Sequence, residues 1–245
     1  MGLWGDAVEW RQAVAAVLAA WDGGSAAALL PAVRRVDAAV LAGLEALGLP
    51  RGPGWSAQVG SYGRAWIGHV ADDGTIRFDV DWLRYYVAAD RVDRVFRAWL
   101  HESLHARGPA LPVPATRHAE YPQWPGYEEG LADGLARVAT AAKAGMPEEE
   151  SAYDYFVEAY RALGQAGGGD VERLWRALWH HPQGEVRANF VAAVEQTRQE
   201  RTSSRLEPRQ RSRLMAVADR VFAAGHQRDR PDPAVLVRLW ETVFR

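Results

Sequence analysis

The stretch Val92-Asp-Arg-Val-Phe-Arg-Ala-Trp-Leu-His-Glu-Ser-Leu-His-Ala106 decides how the rest of the chain is read. Val92, Val95, Phe96, Trp99, Leu100 and Leu104 recur every three or four residues. That spacing predicts an amphipathic helix from about Ala88 to Ala106, with one apolar stripe turned to a core. Its last turns carry His101-Glu102-Ser103-Leu104-His105. Side chains four apart on a helix stand one turn above each other, so both imidazoles can reach one ion while Glu102 projects beside them. The pattern places two ligands and one base on a single helix.

Working outward, residues 3 to 21 show helical spacing of Leu3, Ala7, Trp10, Val14, Val17, Leu18 and Trp21. A second helix is expected from Ser25, as N-cap, to about Leu47. The segment Gly48 to Gly54, rich in Gly and Pro, breaks it. Short β-branched runs at Arg64 to Val70 and Thr75 to Asp81 flank Ala71-Asp72-Asp73-Gly74, which reads as a hairpin. Beyond the motif, Gly108-Pro109 ends the helix, and a loop with Pro112, Pro114, Pro122 and Pro125 leads to a helix from about Tyr127 to Lys143. The remainder from Pro147 reads as four or five helices, broken near Gly164 to Gly169, Pro182 to Gly184, Ser203 to Pro208 and Gly225 to Pro233. The expectation is an α+β fold, mostly α-helical, with a small antiparallel sheet, an active-site helix and flanking helices. Residues 1–245 are expected to form a single compact domain with an N-terminal helical pair (1–50), a core (60–145) and a C-terminal helical part (146–245).

A third ligand is sought on the helix after the motif. In Tyr127-Glu128-Glu129-Gly130-Leu131-Ala132-Asp133, Glu129 and Asp133 share a helix face. Glu129 can hold a metal while Asp133 orients a histidine, the common carboxylate-behind-imidazole arrangement. Glu128 and His118 remain alternatives; Glu128 has Ala132, not a carboxylate, one turn later.

These residues resemble the gluzincin metallopeptidases, whose pattern is His-Glu-x-x-His followed by a glutamate ligand on a later helix. Glu129-Gly130-Leu131-Ala132 is similar to the Glu-Gly-Phe-Ala stretch of the aminopeptidase branch, and Glu129-x-x-x-Asp133 to the ligand and supporting pair of the thermolysin branch. The resemblance spans residues 60 to 145. It implies a zincin-like fold, zinc held by His101, His105 and Glu129, Glu102 as general base, and Asp133 behind His101. It also implies that the Thr75 to Asp81 strand is the sheet edge along which a peptide or protein substrate adds as a further strand. Residues 106 to 128 separate His105 from Glu129, close to the spacing such enzymes use. The Gly-x-Met-x-Asn exopeptidase signature is absent, so the resemblance carries no aminopeptidase specificity. An alternative is a non-catalytic zincin-like domain that binds zinc or a protein partner, of the sort associated with phages or toxins.

Composition narrows the chemistry. The chain has no cysteine, which excludes disulfides, thiolate nucleophiles and cysteine-held metal, so any metal must rest on His, Asp or Glu. Hydrophobic residues make up 48 % and charged residues 24 % of the 245 positions, ordinary for a chain that builds a sizeable core. The formal net charge of −2 argues against a nucleic-acid surface, and Arg198 to Arg213 reads as a solvated helix face or linker. Met1 to Trp21 lacks a basic leader, and Asp6, Glu9 and Arg11 interrupt its apolar run. No signal peptide or membrane span is expected, hence a cytoplasmic protein. Candidate oxyanion donors are Tyr153, Tyr155, Tyr160, His180 and His181, none singled out by spacing, with a core role favoured for the tyrosines.

Overall fold

The computed structural model describes residues 7–49, 57–63, 66–71, 75–107, 124–141, 151–180, 186–223 and 232–245. Among these the chain is mostly helical, with ten helices and three short strands. It divides into two compact units. One is Met1–Ala115 with Ala136–Pro147, and the other is Thr116–Leu135 with Glu148–Arg245.

In the first unit, α1 (Ala7–Asp22) packs on α2 (Ala26–Ala46). Trp10, Val14, Val17 and Leu18 of α1 and Val33, Val36, Val40 and Leu44 of α2 are buried. The expected N-cap is present: the Ser25 hydroxyl accepts from the backbone N–H of Ala28 at 3.2 Å, satisfying a donor that the helix cannot pair within itself.

The sheet has the order β1-β3-β2, with β1 at Ala57–Gly60, β2 at Gly68–Val70 and β3 at Ile76–Asp79. β2 and β3 run antiparallel, as the hairpin pattern predicts, with Gly68 opposite Phe78. The turn residues 72–74 lie outside the described residues. Two expectations are corrected. The sheet is mixed, not antiparallel, because β1 joins β3 in parallel, Ala57 opposite Ile76. For the same reason the Thr75 to Asp81 segment supplies the central strand, and β2 is the edge beside it.

That strand also ends earlier than its alternation suggests. Asp79 is almost fully buried. Its carboxylate accepts from the Asp81 N–H at 2.9 Å and from the Tyr62 N–H at 3.0 Å. Asp79 thereby caps a helix, α3 (Val80–Ala88), that the alternating pattern hides. Asp90 then adopts φ 59°, and α4 (Val92–Arg107) begins.

The α4 stripe is buried as expected: Val92, Val95, Phe96, Trp99, Leu100 and Leu104 are at most 4 % exposed. The Trp10 indole meets Phe96 edge-on at 4.8 Å and donates to the Val92 carbonyl at 3.1 Å. Trp99 lies flat on Phe78 of β3, centroids 3.8 Å apart, and donates to Asp37 of α2 at 2.9 Å. Helix α4 is thus anchored to both the sheet and the helical pair.

The second unit comprises the start of α5 (Pro125–Ala141), then α6 (Asp154–Gly167), α7 (Val171–Trp179), α8 (Val186–Thr202), α9 (Pro208–Phe222) and α10 (Pro233–Phe244). Among the described residues five helices follow α5, and glycine or proline stands at or beside each break between them. Trp124, Phe190, Phe222, Tyr160 and Trp240 are fully buried at its centre. The Trp124 indole donates to Asp219 at 2.7 Å, and the same carboxylate takes Arg187, whose guanidinium lies 4.7 Å over the Trp124 ring.

Helix α5 is packed by glycine. A β-carbon at Gly126 would lie 2.1 Å from the Phe156 ring, at Gly130 it would lie 2.7 Å from Phe156 Cβ, and at Gly134 it would lie 2.4 Å from the Trp175 ring. Three glycines spaced by four residues make one bare strip, into which the rings of α6 and α7 fit. Each glycine costs about 1 kcal/mol of helix propensity relative to alanine; burial of the large rings offsets it.

Candidate metal centre

Helix α4 buries its apolar stripe, and its last turns bring His101 and His105 to a nearby face. Both are buried, at 5 % and 7 % exposure. Their Nε2 atoms lie 3.0 Å apart, with the rings at 75° to each other. Two imidazole nitrogens on one tetrahedral ion, each about 2.0–2.1 Å from it, stand roughly 3.3 Å apart, so the observed separation is close to that of two ligands. Two neutral imidazoles sharing one hydrogen bond give the same distance. Glu129 of α5 is buried (6 %), and it offers a carboxylate oxygen such that the ligand atoms of His101, His105 and Glu129 all lie within 4.8 Å of one another. A carboxylate beside two imidazoles makes a set of donors that can hold a cation.

The donor set also fits. Two imidazole nitrogens and one carboxylate are hard-to-borderline ligands suited to a divalent transition-metal ion, and among the described residues the group has three members. The three residues can hold a metal ion. Glu129, not Glu128, completes the group, although both are buried. His118 lies outside the described residues.

Glu102 follows His101 on the helix and is partly exposed. Its Cγ lies against Gly68 of β2, 2.9 Å from where a β-carbon on that glycine would stand. Asp133 is 2 % exposed and accepts from the Ser151 hydroxyl at 2.9 Å. That hydroxyl in turn accepts from the Tyr153 N–H at 3.1 Å, and the Ser151 N–H donates to Asp154 at 3.1 Å. Asp133 is therefore tied to the start of α6. Ser151 was not singled out from the sequence, though Ser151-x-x-Asp154 has the spacing of a helix start.

The described contacts of the candidate oxyanion donors are these. The Tyr160 hydroxyl donates to the Tyr127 carbonyl at 3.0 Å, and full burial raises its pKa well above the ordinary value; it is a core residue of the second unit. Tyr155 is a partly exposed residue of α6 beside Phe156, its pKa raised by burial and opposed by Arg220. Tyr153 precedes α6. His180 ends α7 with its ring against Trp179. His181 lies outside the described residues.

Arg198 donates to the Gly167 carbonyl at 2.8 Å and covers the Phe244 ring at 4.9 Å, and Arg211 pairs with Glu195 at 2.8 Å. These arginines brace the second unit. No described helix is long and apolar enough to cross a membrane.

Comparison with protein-family models, curated proteins and solved structures gave no match to this chain. What the site can do therefore rests on its own geometry.

Proposed function

We propose that the chain is a zinc-dependent peptidase with a zincin-like core, acting on a peptide or protein. The observation that carries this reading is the buried grouping of His101, His105 and Glu129, with Glu102 on the turn that bears the histidines. His101 and His105 would bind zinc through Nε2 and Glu129 through its carboxylate. The bound ion would supply Lewis acidity, lowering the pKa of a water and polarising the scissile carbonyl.

Glu102 carries the proton. Its carboxylate takes one from the water as the water oxygen attacks the carbonyl carbon, and returns it to the amide nitrogen as the C–N bond breaks, leaving a carboxylic acid and an amine. Being partly exposed, Glu102 can meet substrate. Asp133, one turn beyond Glu129 on the same helix, is held by the Ser151 hydroxyl. Strand β2 stands at the sheet edge with Glu102 over it, and an extended peptide adding along that edge would bring its backbone to the carboxylate.

The test is Glu102→Gln in the zinc-loaded protein. It should keep roughly one zinc per chain and lose hydrolysis of a mixed peptide library by at least about 100-fold. His101→Ala and Glu129→Ala should each lose the zinc. Undiminished cleavage by Glu102→Gln would overturn the mechanism, and zinc retention by both ligand variants would overturn the site.

A further inference from the structure

Gly68 has no conformational reason to be glycine. It lies within β2, in register with Phe78, and its φ is not in the left-handed region. What excludes a side chain is space. A β-carbon there would stand 2.6 Å from Phe78 Cε1 and 2.9 Å from Glu102 Cγ, well inside the roughly 3.5 Å of ordinary carbon contact. A glycine inside a strand often marks such a close approach.

Of the two neighbours, Phe78 cannot give way. It is fully buried and lies flat against Trp99 at 3.8 Å, and Trp99 is itself buried and hydrogen-bonded to Asp37. Glu102 is partly exposed and unbranched, so of the two it is the side chain that turns when a group is added at position 68, while the Phe78 contact stays as overpacking. His101 and His105 are not among the three atoms nearest that added carbon.

We propose that Gly68 is a positioning residue for Glu102: its missing β-carbon leaves the space in which the Glu102 side chain lies across β2, and so fixes where the carboxylate stands beside His101 and His105. The catalytic consequence rests on the reading of Glu102 as the proton carrier; the packing does not. A side chain at 68 would separate the two properties of the site, leaving the metal ligands in place and moving the base.

Gly68→Ala in the full-length, zinc-loaded protein should retain its zinc, keep KM near the wild-type value and lower kcat about 100-fold, the scale of a misplacement near 1 Å. It should also lower Tm by about 2–6 °C through overpacking. The same substitution in a Glu102→Ala background, where Cγ is gone and only the Phe78 contact remains, should cost measurably less in Tm. A residue with only a structural role would show an equal penalty in both backgrounds. Should Gly68→Ala not fold, Gly68→Ala with Phe78→Leu relieves the ring contact and keeps the Glu102 contact; it should fold and be inactive where Phe78→Leu alone is active. Wild-type kcat in Gly68→Ala, or equal Tm penalties in both backgrounds, overturns the proposal. If the wild-type protein cleaves no peptide, the peptidase reading falls, while the paired Tm measurements still decide the Gly68–Glu102 contact.

Discussion

Helices α4 and α5 both contribute to the metal-ligand group, yet they are anchored by opposite means. Helix α4 holds its place with bulk: Trp99 lies flat on Phe78, and Phe96 meets Trp10 edge-on. Helix α5 holds its place with absence: Gly126, Gly130 and Gly134 carry nothing, and the rings of Phe156, Tyr160 and Trp175 come to them. In the first case the packing energy is written in the helix's own side chains. In the second, along the glycine strip, it is written in the helices that face it.

That contrast predicts opposite responses to changes in volume. On the α4 side, Trp99→Ala should be the most damaging, destabilising by about 3–5 kcal/mol through the cavity left against Phe78; a shift of urea midpoint worth less than 1 kcal/mol would show that α4 is not anchored by that ring. On the α5 side, Gly134→Ala should destabilise by about 2 kcal/mol, since the methyl meets the Trp175 ring. Intrinsic propensity alone gives the reverse sign, a gain of about 1 kcal/mol, so calorimetry decides between them by direction as well as size. The smallest effect belongs to Ser151→Ala. It removes the hydroxyl that joins Asp133 to the Tyr153 N–H and should cost about 1 kcal/mol.

The same contrast explains what could be read from the sequence. Helix α4, the Ser25 cap and the five helices after α5 announce themselves through periodicity and punctuation, because their signals are local. The pairing of His101 with His105 was legible because helical spacing puts both on one face; that Glu129 joins them is a relation that spacing within one helix does not contain. Strand β1 was not: Ala57-Gln-Val-Gly60 is too short and too plain to stand out, and its partner β3 is a parallel one. Helix α3 was hidden because Asp79 fits an alternating strand and a helix cap equally well, and only its contact with Tyr62 and Asp81 chooses. The glycine strip carried a visible spacing of four, but hydropathy assigns nothing to a missing side chain. The meaning of Gly68 depends on Glu102 lying across it, a relation between two elements that no window of sequence contains.

The strip on α5 also bears on ancestry and design. Glu129 sits immediately before Gly130, and the rings of Phe156, Tyr160 and Trp175 come within clashing range of any side chain at positions 126, 130 or 134. A divergent descendant could exchange most residues of this helix and keep Glu129, yet it could not enlarge those three without rebuilding α6 and α7. The recognisable mark of this centre is therefore a compound one, His-Glu-x-x-His followed at a distance by Gly-x-x-Glu-Gly-x-x-x-Gly. A scaffold borrowing the centre would have to import the facing aromatic rings together with the ligands.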